Sequence, residues 1–268
     1  MGKDVPSDRF AIGDRVAALG PALGTRWGAY AEFIPLQYTM LAKVPDNVSL
    51  HDAAAMPLVA LTAIQGLDRV DPALVGEGKK ILVHAGSGGV GSFALQWASA
   101  VLGFSEIATT SSNTKLVRSL GATTVVNYRE NNFEEVLADY HVVLDPMSYE
   151  YENRSLSVVA PGGHYINILG SDFMLDQEGQ ERANGLSTFT NWITHSFSRL
   201  VGRTEVPAYT IILVSPNGQT LSRVMEAMAT GKIHAVVDRV FPLADAAAAH
   251  EYLETGRAKG KVLLRVVQ

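Results

Sequence analysis

Residues 79–91 read Lys-Lys-Ile-Leu-Val-His-Ala-Gly-Ser-Gly-Gly-Val-Gly. A short apolar run enters a glycine-rich turn, and the run from Ser92 to Leu102 that follows has helical character and stops at Gly103. A buried strand, a tight turn and a helix in that order open a parallel α/β unit. Gly86, Gly88 and Gly91 fit the spacing G-x-G-x-x-G. The first glycine permits the turn, the second lets a pyrophosphate approach bare backbone, and the third lets helix and strand pack closely. The helix N-terminus would aim free N–H groups and a partial positive charge at an anion. Gly86, Ser87, Gly88, Gly89, Val90 and Gly91 are therefore the candidate dinucleotide-phosphate residues. The plain alternative is a glycine-rich strand-to-helix turn that holds no ligand.

The pattern downstream agrees with such a unit. Apolar strands are expected at 106–110, 123–127, 141–145, 163–169 and 209–214, with helical stretches between them and a short helix over 114–120 stopped by Gly121. Continuous apolar strands separated by helices indicate a doubly wound parallel sheet covered on both faces, the Rossmann arrangement. Upstream, residues 10–45 read as β-rich, with a strand over 28–34. Residues 49–68 read as helical, capped by Ser49 and split or kinked at Pro57. Residues 172–184 read as a polar loop. Residues 187–201 carry Phe189, Trp192, Ile193, Phe197 and Leu200 at helical spacing, a lid or an ordinary packed helix. The chain closes with a helix over 219–230 and strands over 236–241 and 261–267, with an Ala-rich helix between them. Three segments follow: 1–68, a β-rich part and hinge helices; 69–215, the dinucleotide-binding part; and 216–268, the last helix and a return to the β-rich part.

Composition narrows the function. With 268 residues, 47% hydrophobic and 18% charged, the chain can bury a sizeable core. Its net charge of −5 argues against a general nucleic-acid binder. It has no cysteine, so disulfides, thiolate catalysis and Cys-ligated zinc are excluded, and its seven histidines are scattered. No apolar run approaches membrane-spanning length. A soluble intracellular protein is expected, cytoplasmic by default, with mitochondria as the alternative.

Chains that prefer NAD carry an acidic residue at the end of the second strand to bind the ribose 2′-OH. Here that end reads Thr109-Thr110-Ser111-Ser112-Asn113-Thr114-Lys115. The hydroxyls of Ser111 and Ser112 leave room for a 2′-phosphate, and Lys115 supplies a countercharge. NADPH is the expected cofactor. The alternative is that the two serines cap a helix and Lys115 is a solvated lysine. Tyr128 could flank the adenine end, or be an ordinary half-buried aromatic, and Ile168, in the run from Ile166 to Gly170 at the end of the fifth strand, would bring backbone groups near the nicotinamide, or belong to no more than a buried strand and turn. Tyr30 could return a proton to a carbonyl oxygen, or simply pack in a strand. Asp145, ending the fourth strand, is expected to cap a turn.

These segments, in this order, resemble the medium-chain dehydrogenase/reductase superfamily, and within it the zinc-free quinone oxidoreductase branch. The resemblance rests on Phe10-Ala11-Ile12-Gly13-Asp14-Arg15-Val16, Gly28-Ala29-Tyr30-Ala31-Glu32-Phe33, Ala53 to Pro57 with Leu61-Thr62-Ala63, the glycine loop, Leu120-Gly121-Ala122, Val126-Asn127-Tyr128 and Gly256 to Val262. It implies a GroES-like substrate domain beside the Rossmann domain. It also implies NADPH-dependent hydride transfer to a quinone or an α,β-unsaturated carbonyl, without zinc. By position it places Ser111, Lys115 and Tyr128 on the 2′-phosphate and Thr62 near the nicotinamide. It further implies a homodimer formed through the last strand of the sheet. Several strands precede the Gly-Asp-Arg-Val turn in the family, so the GroES-like domain is expected to be incomplete. A non-catalytic cofactor-binding or scaffold protein is then the alternative. The loop reads Ala85-Gly86 where many relatives have Gly-Ala, a swap expected to be tolerated.

Overall fold

The computed structural model describes residue 5 and residues 8–20, 28–148, 150–168 and 180–266. The chain begins with strands β1 (Val16–Ala18) and β2 (Leu41–Lys43) and helices α1 (Leu50–Ala54) and α2 (Pro57–Leu67). It continues through β3 (Lys80–Val83), α3 (Gly89–Ala100), β4 (Glu106–Thr110), α4 (Thr114–Ser119), β5 (Thr124–Val126), α5 (Phe133–Val136) and β6 (Tyr140–Asp145). Next come α6 (Glu150–Ser157), β7 (Val159–Asn167), α7 (Gln180–Leu200) and β8 (Ala208–Ile211). It closes with α8 (Gly218–Ala229), β9 (Val237–Pro242), α9 (Ala246–Glu254) and β10 (Lys261–Arg265). Two compact units result: Thr62–Leu213, and Met1–Leu61 with Val214–Gln268.

The Thr62–Leu213 unit holds a parallel sheet of six strands, counted over the described residues, in the order β5-β4-β3-β6-β7-β8. Sequence order reverses between β3 and β6, which is the switch point of a Rossmann sheet. Ile81, Leu82, Val83, Val142, Val143 and Leu144 are wholly buried because helices cover both faces of these strands. Each contributes ~1.5–3 kcal/mol by leaving water. On α3, Phe93 and Trp97 stack with centroids 5.5 Å apart. Elsewhere in the core Phe133 and Tyr151 stack at 5.7 Å, and both meet the ring of His84 edge-on.

The other unit pairs β1 with β2 antiparallel and β9 with β10 in parallel, α9 lying between β9 and β10 in the chain. Leu221, Val224 and Met225 form the buried face of α8. A side chain at Gly218 would run into the carbonyls of Leu41 and Thr39, so α8 starts against backbone. The Ser49 cap is present: its hydroxyl accepts the Asp52 N–H at 2.9 Å. Pro57 breaks the helical stretch and opens α2, where a missing N–H costs nothing.

Several boundaries differ from expectation. No strand forms over 28–34; the chain bends there, and Tyr30 and Phe33 are largely exposed. Its short alternating pattern has no paired neighbour among the described residues, and a lone extended segment gains no ladder bonds. β7 begins at Val159, four residues before the expected start, because Pro161 and Gly162 are carried inside it. β8 ends at Ile211 rather than residue 214. The short helices α5 and α6 had not been expected. Of the proposed polar loop at 172–184, residues 180–184 belong to α7, and 172–179 lie outside the described residues. Among the described residues no helix is long and apolar enough to cross a membrane.

Candidate functional site

The glycine loop sits where β3 gives way to α3, at the carboxyl edge of the sheet beside the switch point. Gly88 is the α3 N-cap, and the first described intrahelical bond runs from Ser92 N–H to Gly88 O at 2.9 Å. The amides of Gly89, Val90 and Gly91 thus precede the helix's own acceptors. The turn closes through Gly88 N–H to Ala85 O at 2.8 Å. A side chain at Gly91 would collide with that same Ala85 carbonyl, and one at Gly86 with the Thr109 hydroxyl. At Gly88 the nearest atom to an added Cβ is Ala85 O, at 3.2 Å. The loop is a bare-backbone cradle whose first and third glycines are required by packing, so the residues present fit a dinucleotide diphosphate. Ala85 itself holds φ 51°, a left-handed backbone that costs a non-glycine residue ~1–2 kcal/mol.

The end of β4 is tied to this loop. Ser111 is buried, and its hydroxyl donates to Ser87 Oγ at 3.2 Å while accepting Asn113 N–H at 2.9 Å. Asn113, not either serine, caps α4 by accepting Leu116 N–H at 3.3 Å. The helix-capping alternative for Ser111 and Ser112 is thereby corrected: the longer Asn side chain takes that role and leaves Ser112 exposed. Ser112 hydrogen-bonds the Tyr128 phenol, which lowers the phenol's pKa, with Arg129 adding to the effect. The Arg129 guanidinium lies 5.9 Å from the Tyr128 ring centroid. Lys115 is exposed in the first turn of α4. Arg129 went unnoticed in the sequence, though its place directly after Tyr128 was the signal. A cationic and hydroxyl-bearing rim at the end of β4 is chemistry suited to a phosphate monoester.

Across the switch point, Asp145 ends β6 wholly buried. Its Oδ1 accepts the N–H groups of Met147 (2.8 Å) and Ser148 (3.0 Å), the turn-capping role expected of it. Its Oδ2 accepts the hydroxyls of Tyr165 (2.8 Å) and Ser155 (3.3 Å). Ile168 donates its N–H to Asp145 O at 3.0 Å and its carbonyl accepts from the Ser148 hydroxyl, so this residue is held at the same edge. Leu169 and Gly170 lie outside the described residues. Burial pushes His84 down to about 4, with Asp145 pulling the other way, so its imidazole is neutral. Burial likewise raises the Tyr165 phenol.

Thr62 is buried on α2. Tyr30 is 58% exposed, and its hydroxyl pairs with His250 Nε2 at 3.0 Å. Strand packing therefore does not account for Tyr30. Among the described residues no three His, Asp or Glu side chains gather to hold a metal, and the sequence has no cysteine.

Residues 120–264 match the family model described as zinc-binding dehydrogenase. The NADPH-dependent alkenal/one oxidoreductase of Arabidopsis thaliana is 32% identical over 243 residues, covering 89% of this chain and 53% of the relative. The quinone oxidoreductase structure from Coxiella burnetii superposes with TM-score 0.79 at 25% identity, over 100% of this chain and 76% of that one. The Escherichia coli quinone oxidoreductase complexed with NADPH gives TM-score 0.72 at 26% identity, over 96% and 76%. The chain spans about half the length of two curated relatives that it matches.

Proposed function

Because the chain belongs to the zinc-binding dehydrogenase family, as a quinone oxidoreductase-like member, we propose that it is an NADPH-dependent reductase of quinones or α,β-unsaturated carbonyls. The observation that carries this reading is the cradle of Gly86, Gly88 and Gly91, with no side chain tolerated at its ends, beside a second-strand end that bears hydroxyls and a lysine in place of an acid. When bound, the reduced nicotinamide supplies a hydride to an electrophilic carbon. Gly89, Val90 and Gly91 offer amides to the diphosphate, and Ser87 steadies the loop through Ser111. Ser111, Ser112, Lys115 and Tyr128 hold the ribose 2′-phosphate, with Arg129 adding charge. Ile168 flanks the nicotinamide, and Thr62 approaches it from α2. Tyr30, whose hydroxyl pairs with His250 Nε2, is the candidate proton donor of this reading. Among the described residues no cluster of side chains fits the zinc named by the family model, and the sequence has no cysteine to bind it.

β8 ends the sheet and pairs as a strand only with β7 among the described residues, while on its outer edge Arg69 donates to the Ile211 carbonyl at 3.1 Å. Ile193, Phe197 and Leu200 of α7 are exposed, as is Leu213 just past β8. These features support a homodimer through this edge, and sedimentation equilibrium showing only monomer at micromolar concentration would refute it.

Fluorescence titration with NADPH and NADH, followed by NADPH oxidation with a panel of quinones and enones, tests the reading. Tight NADPH uptake with turnover is expected. Uptake without turnover would favour the non-catalytic alternative, and no uptake of either nucleotide would end the cofactor assignment.

A further inference from the structure

Two described non-glycine residues in left-handed backbone flank the switch point: Ala85 past β3, at φ 51°, and Ser148 past β6, at φ 53°. Residues in such conformations persist only where their surroundings over-determine them, and they cluster at ligand sites. One buried run of hydrogen bonds joins these two. Ala85 donates its N–H to Thr110 Oγ1 at 3.0 Å, and Thr110 Oγ1 lies 3.2 Å from His84 Nδ1. His84 Nε2 lies 3.0 Å from Ser155 Oγ, which reaches Asp145 Oδ2 at 3.3 Å. Asp145 Oδ1 accepts the Ser148 N–H at 3.0 Å. Thr110, His84, Ser155 and Asp145 are each 2% exposed or less.

The directions of these bonds follow from proton counting. A carboxylate only accepts, so Ser155 spends its one proton on Asp145 and must accept from His84. His84 therefore carries its proton on Nε2 and accepts at Nδ1 from the Thr110 hydroxyl. Thr110 then has its lone pairs left for Ala85 N–H. Every member is satisfied in one arrangement, and removing any link strands a buried polar group.

We infer that Thr110, His84, Ser155 and Asp145 form a positioning chain that clamps the turns at Ala85 and Ser148 together, so that the two sides of the switch-point crevice are set as one. The clamp stands on geometry alone. Its consequence for the cofactor, that diphosphate and nicotinamide sides are coupled, rests on the proposed function.

Amide hydrogen exchange on the full chain without nucleotide tests the clamp. Ser155→Ala cuts the middle of the chain and touches neither end. It is expected to speed exchange at both Ala85 and Ser148 by about tenfold, while Leu82 in the sheet centre is unchanged. Thr110→Val, close to one end, should expose Ser148 at the other, and Thr110→Ser, which keeps the hydroxyl, should restore wild-type rates. Acceleration confined to neighbours of the substituted residue, acceleration matched at Leu82, or no rescue by Thr110→Ser would overturn the clamp. Fluorescence titration then reads its consequence. Thr110→Val should weaken NADPH binding about tenfold and Thr110→Ser less than twofold. A wild-type chain that takes up no NADPH would defeat the cofactor reading but leave the exchange data to judge the clamp.

Discussion

The Thr109 hydroxyl occupies the space that a side chain at Gly86 would need. It cannot turn away cheaply, because it donates to the Val83 carbonyl at 2.6 Å inside the core. Gly86→Ala should therefore destabilise the fold by ~1–3 kcal/mol, the usual cost of overpacking. In a Thr109→Ala background the cost should shrink by ~1 kcal/mol, a coupling that urea denaturation of the four-member cycle measures. Additive effects would show that the hydroxyl is not the obstacle.

Ala85→Gly should stabilise the protein. Glycine removes a left-handed penalty of ~1–2 kcal/mol and adds back roughly 0.5–1 kcal/mol of chain entropy. A melting temperature raised by about 1–3 °C is expected in a thermal scan. A lower one would mean that the alanine methyl packs usefully enough to outweigh the strain.

Lys115→Glu should separate the two nucleotides. Reversing this exposed charge, which we propose pairs with the 2′-phosphate, should weaken NADPH about 10–100-fold, the loss of one charge-assisted contact plus added repulsion. NADH should weaken less than about threefold. Equal losses for both nucleotides in a calorimetric titration would remove Lys115 from the 2′-phosphate site.

Stability should fall as the pH drops from 6.5 towards 4. His84 and His164 are both held at about 4 against an ordinary 6.5, burial being the first cause for each. Arg154 beside His84 and Arg199 beside His164 add to the depression, while Asp145 and Glu134 near His84 and Asp71 near His164 oppose it. In that window the unfolded chain binds protons that the folded one refuses, so stability is complete above 6.5 and lost on acidification. Each histidine contributes up to ~1.4 kcal/mol per pH unit. Urea midpoints recorded from pH 7 to 5 should show this slope, and His84→Gln should flatten it. A slope unchanged in both His84→Gln and His164→Gln would contradict the assignment.

Legibility tracked sequence distance. The β3–loop–α3 unit was readable because its signals lie within two dozen neighbouring residues and each has a local cause: apolar run, glycine spacing, terminating Gly103. The split at Pro57 and the Ser49 cap were readable for the same reason. Helix α5 has only four residues, too few to show a period. The strand expected over 28–34 failed because a strand needs a neighbour, and no local pattern supplies one. The serines at 111 and 112 were found, but the division of labour with Asn113 was not, since all three are good caps.

By itself the sequence determined the parallel α/β plan, the position of the glycine loop between β3 and α3 and the absence of an acidic residue at the end of β4. Those features rest on periodicity and on residue types at short fixed spacings. Only the tertiary structure decided that Thr109 requires Gly86 to be bare, and that His84, 71 residues from Ser155, links two strained turns. Hydrogen bonds between strands brought together from distant parts of the chain have no spacing rule, so their partners exist only once the sheet order places them side by side.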